Sequence, residues 1–348
     1  MVSLPDLPNE LLIELATHYS LLYIGIDAVI HGELREKYAG DHAIRSLSQT
    51  CRRLRHVFLP ILFSRVHALL TWRNLPLMLS RPILGSHTNI LEDRMIGIRD
   101  TPYVAPLIRS LSVTLEECRY RWQPIAEFIQ VLGLLPDLEN LTIIDPHQEA
   151  IPFLISACEG RTFPSVRTLA IDNILGPIIP CFPNVRVLTS AGGGHNCLLE
   201  SLKGKCEQIS TNKLIPATVE LLRDAIPNVR CIEVWDNKRL DVGALNLLQD
   251  MNALIELRYR YQAWNYDCIP REMDISAARR VLRSSKAVGV KKLRLQVLES
   301  SVLLHEQVIL VREFVLNLLG NLLCVALGCV SGILSRLAIA RFFFDEGL

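Results

Sequence analysis

The sequence predicts an α/β protein in which a small helical module leads into a stack of units, each built from one strand and one helix. Three observations predict it. Apolar residues over the first sixty or so positions recur at helical spacing with no alternating run. A frame of the form Pro-x-apolar-x-x-apolar-x-apolar then recurs along the middle of the chain. Between its copies lie amphipathic stretches long enough for short helices.

The first stretch, 4–65, opens with Leu7, Pro8, Asn9, Glu10, Leu11 and Leu12 and closes with Leu47, Ser48, Gln49, Thr50, Cys51, Arg52, Arg53 and Leu54. Pro8 stands where a helix can start, because its missing N–H would have no partner inside the helix, and Asp6 is a plausible cap. Leu11, Leu12, Leu15 and Tyr19 then form one apolar stripe. A second helix is expected from Asp41, with Ile44, Leu47, Cys51 and Leu54 on one face, and a third, short one over Val57 to Phe63, interrupted by Pro60. Polar residues from Glu33 to Asp41, with Gly32 and Gly40, suit a surface loop between the first two.

This arrangement resembles the F-box, and the residues that match are Leu7, Pro8, Glu10, Leu11, Leu12, Leu47, Ser48, Cys51, Arg52 and Leu54. The segment departs from the family in length, the excess lying between Tyr19 and Asp41. The resemblance implies docking on a Skp-type adaptor, with Leu7, Pro8, Leu11, Leu12, Leu47, Cys51 and Leu54 forming or supporting the docking face, and through it coupling to a cullin complex. A generic helical cap on the domain behind it is the simpler alternative.

Residues 66–104 read as a connecting region with one short helix near Leu75 to Leu79. The repeat frame begins after it, over 105–300. It fits Pro106, Ile108, Leu111, Val113; then Pro136, Leu138, Leu141, Ile143; then Pro164, Val166, Leu169, Ile171; and then Pro183, Val185, Leu188. Further copies fit Gly204, Cys206, Ile209; Pro227, Val229, Ile232, Val234; Asn252, Leu254, Leu257, Tyr259; and Val288, Val290, Leu293, Leu295. First positions are therefore separated by 30, 28, 19, 21, 23, 25 and 36 residues. Alternating apolar positions suit a short strand on a shared core, and the proline ends whatever precedes it. Helices are expected over Ile125 to Leu135, Ile151 to Cys158, Val219 to Ile226, Val242 to Met251 and Ile275 to Leu282. The spacing resembles the irregular leucine-rich repeats that commonly follow an F-box, which implies a curved solenoid whose strands line one face. An ordinary parallel α/β domain would alternate in the same way. Recurrence of Pro-Asn-Val-Arg at 183–186 and 227–230, with Pro-Ser-Val-Arg at 164–167, favours repeats.

Composition narrows the function. Lysine plus arginine, 37, nearly cancels aspartate plus glutamate, 36, so no basic face for nucleic acid is expected. Arg52, Arg53, Arg55 and His56 read as the solvated side of a helix. The ten cysteines lack a CxxC pair or zinc-like spacing, and the N-terminus has no charged-then-apolar leader, so free thiols in a reducing compartment are expected, with no metal and no cofactor. Gly192, Gly193, Gly194 and His195 lack the Gly-Lys-Ser or Gly-Lys-Thr ending of a phosphate loop. His195 with Cys197, and the adjacent Glu116 and Glu117, make no catalytic set. Tyr259, Tyr261 and Trp264, beside Tyr266, are candidates for target binding if they face outward and for core if they face inward.

The last segment, 301–348, is expected to be an apolar helical tract. Phe314 to Leu334 carries no charge and is long enough to span a bilayer as a helix, with Gly328 and Gly332 in a GxxxG pair, although Asn317 and Asn321 oppose insertion. The expected function is a non-catalytic substrate receptor of a Skp-cullin-F-box ubiquitin ligase, cytoplasmic or nuclear. The alternative is a non-catalytic repeat scaffold whose F-box-like helices only cap the solenoid, with that tract as a membrane tail anchor.

Overall fold

A computed structural model describes residues 7–20, 44–68, 90–115, 123–144, 146–190, 198, 201–202, 206–211, 214–235, 241–262, 272–288, 290–303, 306–319 and 322–328. The insertion before Asp41, the helix expected near Leu75 to Leu79, Glu116, Glu117, the Gly192 to Cys197 stretch, Trp264 and Tyr266 lie outside these residues.

Helices occupy Asn9–Ser20, 44–50 and Arg52–Phe63 at the N-terminal end. Pro8 precedes the first helix rather than entering it, and its carbonyl accepts the Leu12 N–H at 3.1 Å. The second expected helix is broken where the sequence suggested continuity: Cys51 is extended, with φ −152° and ψ 165°, and a new helix starts at Arg52. That helix runs on through Pro60, whose ring is exposed and whose missing N–H would have bonded the carbonyl of the exposed His56.

Eleven strands form one sheet in chain order: β1 Arg65–Ala68, β2 Ser110–Thr114, β3 Asn140–Ile144, β4 Thr168–Ile171, β5 Val187–Ser190, β6 Gln208–Thr211, β7 Cys231–Trp235, β8 Glu256–Gln262, β9 Lys291–Leu303, β10 Glu306–Leu319 and β11 Leu322–Gly328. β1 to β9 are parallel; β10 and β11 are antiparallel additions. Parallel neighbours need a crossover, and helices supply it at Ile90–Arg99, Gln123–Leu132, Ile151–Cys158, Pro216–Ala225, Val242–Leu247 and Glu272–Ser284, with a 3-10 turn at Asn173–Cys181 between β4 and β5.

The register turns the repeat frame into columns. Leu111, Leu141, Leu169, Leu188, Ile209, Ile232, Leu257 and Leu293 are successive partners across the sheet, and all are buried. A second buried column precedes the strands: Ile108, Leu138, Val166, Val185, Cys206, Val229 and Leu254. Each of those except Cys206 closes a four-residue turn by donating its N–H to the residue three before it, as in Val229 to Ile226 at 3.2 Å and Val185 to Phe182 at 3.3 Å. The frame proline is the second residue of that turn, where its fixed φ fits. It therefore starts the turn rather than merely ending the helix before it.

A bonded ladder runs beside the columns. The carbonyl just before each of β1 to β7 accepts two N–H groups from the next unit: Ser64 from Arg109 and Ser110, Arg109 from Glu139 and Asn140, Glu139 from Arg167 and Thr168. Arg167, Arg186, Glu207 and Arg230 continue the series, at 2.8 to 3.1 Å. The arginine of the recurring Pro-x-Val-Arg is this rung residue, and Asn184 Nδ2 reaches back to the Pro164 carbonyl at 2.8 Å. Caps punctuate the crossovers: the Asp241 carboxylate accepts from the Gly243 and Ala244 N–H groups, and Gly160, at φ 72°, takes the left-handed conformation past Ile151–Cys158.

Two expectations change. Residues 66–104 are not only a connector, because β1 pairs with β2 from Arg65 onward and Ile90–Arg99 is helical. The described residues of the tract from 301 are strand rather than helix, with Leu319 paired to Leu322 across β10 and β11, and residues 329–348, Gly332 among them, lie outside the described residues. β-branched and aromatic residues such as Val308, Ile309, Val311, Phe314 and Val315 favour extended pairing, and the asparagines and glycines weaken a helix. Among the described residues no helix is long and apolar enough to cross a membrane.

Candidate functional site

Two parts of the molecule come into consideration, and the first contains residues the sequence singled out. At the N-terminal end, residues about forty positions apart meet in one small core. Leu12, Ala16, Ile44, Leu54, Val57 and Phe58 are buried together, with Leu7, Leu47, Cys51, Ile61 and Leu62 packed against them. Arg53 locks the two ends: its guanidinium donates to the Leu7 carbonyl at 2.8 Å and to Asn9 Oδ1 at 3.3 Å. Buried Ser48 donates to the Arg45 carbonyl at 2.7 Å, and Arg55 Nε to the Ser48 carbonyl at 3.4 Å. Of the seven expected docking residues, Leu12 and Leu54 are inside, Leu7, Leu47 and Cys51 half-buried, and Pro8 and Leu11 outside. Leu11 and Ile13 are each 46% exposed, two large apolar side chains on one short helix.

The second part is the sheet face opposite the apolar columns. Side chains alternate along a strand, so the residues between the column positions share this face. Over β2 to β6 it carries Ser110, Ser112, Asn140, Thr142, Thr168, Ala170, Val187, Thr189, Gln208 and Ser210 and no charge. Over β7 to β9 it changes character: Cys231, Glu233 and Trp235 lie beside Glu256, Arg258 and Arg260, and these beside Lys292 and Arg294.

The charges interlock. Arg258 grips Glu256 with two bonds, Nε at 2.9 Å and Nη2 at 3.2 Å, and Arg294 Nε reaches the same carboxylate at 2.7 Å. Arg260 pairs with Glu233, whose other oxygen accepts from Ser210 Oγ at 2.8 Å and Gln208 Nε2 at 3.4 Å. The Arg260 guanidinium lies 4.7 Å from the Trp235 ring centroid, a cation–π contact. Burial, before the neighbouring charges, pushes the Cys231 thiol up to about 12, so it stays protonated and non-nucleophilic at neutral pH. Among the described residues no group of three His, Cys, Asp or Glu side chains is placed to hold a metal ion.

Of the tyrosine candidates, Tyr259 is 2% exposed and occupies the core column between Val234 and Leu295, so it cannot meet a target. The repeat frame already held the reason: with Leu257 and Tyr259 in its apolar positions, Arg258 and Arg260 must face the other way. Those arginines, with Glu233, Trp235, Glu256 and Arg294, are the residues that attention to the tyrosines missed. Compared with known proteins, the chain matches no family model and no curated protein.

Proposed function

We propose that this chain is a substrate receptor of a Skp-cullin-F-box ubiquitin ligase, with an F-box at its N-terminal end and an irregular leucine-rich-repeat solenoid behind it. The observation that carries the first half is the meeting of the Leu7-Pro8 opening and the Leu47 to Leu54 close in one small core that leaves Pro8 and Leu11 outside. For the second half, the support is the strict chain order of the strands, one rung per unit with variable lengths between rungs, as stacked repeats require.

In this scheme the chain makes and breaks no bond. It holds a target close to the ligase machinery and raises the effective concentration of one toward the other. The test is co-purification of the full chain with a Skp-type adaptor, comparing the unaltered protein with the double variant Pro8→Ala/Leu11→Ser. Both residues are exposed, so the variant should keep its helical content and thermal transition while losing adaptor capture by at least about tenfold. Equal capture by both forms, or none by either, would sink the adaptor reading.

A further inference from the structure

Among the described residues of the sheet face over β7 to β9 the cations outnumber the carboxylates, and the two signs lie at different depths. Its described carboxylates are Glu233 and Glu256; its cations are Arg258, Arg260, Lys292 and Arg294. The carboxylates are deep, with side chains 4% and 12% exposed, whereas Arg258, Arg260 and Arg294 are 27%, 21% and 29% exposed. Arg258 and Arg294, direct partners on adjacent strands, share Glu256. What a visitor to this face meets is therefore a cluster of guanidinium groups with negative charge beneath it, next to the indole of Trp235.

We infer that this three-strand patch binds an acidic segment of the target protein, one with aspartate or glutamate at alternate positions of an extended stretch. Guanidinium groups grip carboxylates in the planar, two-bonded manner that Arg258 already shows toward Glu256. Arg258 and Arg260 are two residues apart on β8, roughly 6.6 Å, which is also the repeat of side chains on one face of an extended peptide. Acidic residues at i and i+2 of a bound segment thus face successive cations, with the Trp235 indole beside Arg260. The uncharged face over β2 to β6 offers no such grip, so charge confines the segment to the C-terminal strands. This rests on reading the array as the part that holds the target.

The test uses the full chain and a fluorescent nonapeptide with glutamate at alternate positions, its glutamine counterpart, and a neutral peptide carrying one phosphoserine, all followed by anisotropy. The glutamate peptide should bind at least about tenfold tighter than the glutamine one and weaken several-fold between low and physiological salt. Arg258→Gln/Arg294→Gln should lower its affinity about tenfold; Lys292→Gln, which leaves the Glu256 network intact, about threefold; and Arg186→Gln, on the exposed rung row, less than twofold. Equal binding of the glutamate and glutamine peptides, binding of the phosphoserine peptide alone, or full affinity in the Lys292→Gln and Arg258→Gln/Arg294→Gln proteins would overturn the assignment. Because no adaptor is present, failure here is distinguishable from failure of the ligase reading, which adaptor capture tests separately.

Discussion

The N-terminal helical cluster and the repeat core behind it are joined by a single helix yet are built on opposite principles. The cluster closes over six buried side chains and leaves Leu11 and Ile13 in solvent. In the array, columns of aliphatic residues run through every unit from β2 to β9, each side chain packed between the same position of the units on either side. Helix Arg52–Phe63 serves both: Leu54, Val57 and Phe58 belong to the cluster, while Phe63 packs on the array and the Ser64 carbonyl begins the ladder. The difference teaches that the two parts close their cores in different ways. The array's apolar columns continue from unit to unit, whereas the three short helices close over a handful of side chains; both leave large apolar side chains outside, Leu134, Phe153 and Ile174 of the array being 44% to 46% exposed.

The largest expected effect breaks the array. Leu169→Ala, between Leu141 and Leu188, should cost about 3 kcal/mol, since neighbours fixed by the sheet cannot collapse into the cavity. Leu12→Ala should cost less, about 2 kcal/mol, because small helices shift to fill the space, and it should abolish adaptor capture. Urea unfolding followed by circular dichroism gives both numbers. An equal or larger loss for Leu12→Ala would show that the two cores unfold as one.

Thiol chemistry sharpens the same contrast. Burial pushes Cys158 and Cys206 in the array, like Cys231, from the ordinary 9.0 up to about 12. Below pH 9 these thiols are protonated both folded and unfolded. Between 9 and 12 the unfolded chain releases protons that the folded chain keeps, so stability falls as pH rises through that window. At pH 8 in native conditions, alkylation read by peptide mass spectrometry should label half-buried Cys51 well before any of the three, and urea should remove the difference.

The smallest effects have opposite signs. Pro227→Ala in a frame turn should destabilise by about 0.5 kcal/mol, because the turn loses a residue already fixed in the required φ. Pro60→Ala, inside a helix, should stabilise by about 1 kcal/mol by restoring a backbone donor. Calorimetry on the two variants checks the pair, and matching signs would contradict the turn role of the frame prolines.

The array was legible in the sequence wherever a turn proline preceded two alternating apolar positions, since turn and column are both local patterns; the helix expected at Ile151 to Cys158 is found at those residues. What escaped lacked one of them. β1 has no proline turn, following Ser64 directly from a helix, and Asn173–Cys181 carries Pro177 and Pro180 in a 3-10 turn with neither helical nor strand periodicity. The break at Cys51 hides because Leu47, Cys51 and Leu54 keep helical spacing across it. On β8 the frame was right and its consequence was missed: placing Tyr259 among the apolar positions settles which way Arg258 and Arg260 point. The pairing of Glu233 with Arg260, from different strands, follows from register, which no single strand announces.

The two N–H groups received by the carbonyls before β1 to β7 set the grain size at which this chain can change. Segments between rungs differ widely in length, so residues gained or lost there leave the rungs in place. Excising everything from one rung to the next rejoins a carbonyl to an equivalent pair of donors, while a cut ending within a unit strands a pair with nothing to bond. A shortened form that still folds should therefore be missing an integral number of whole segments.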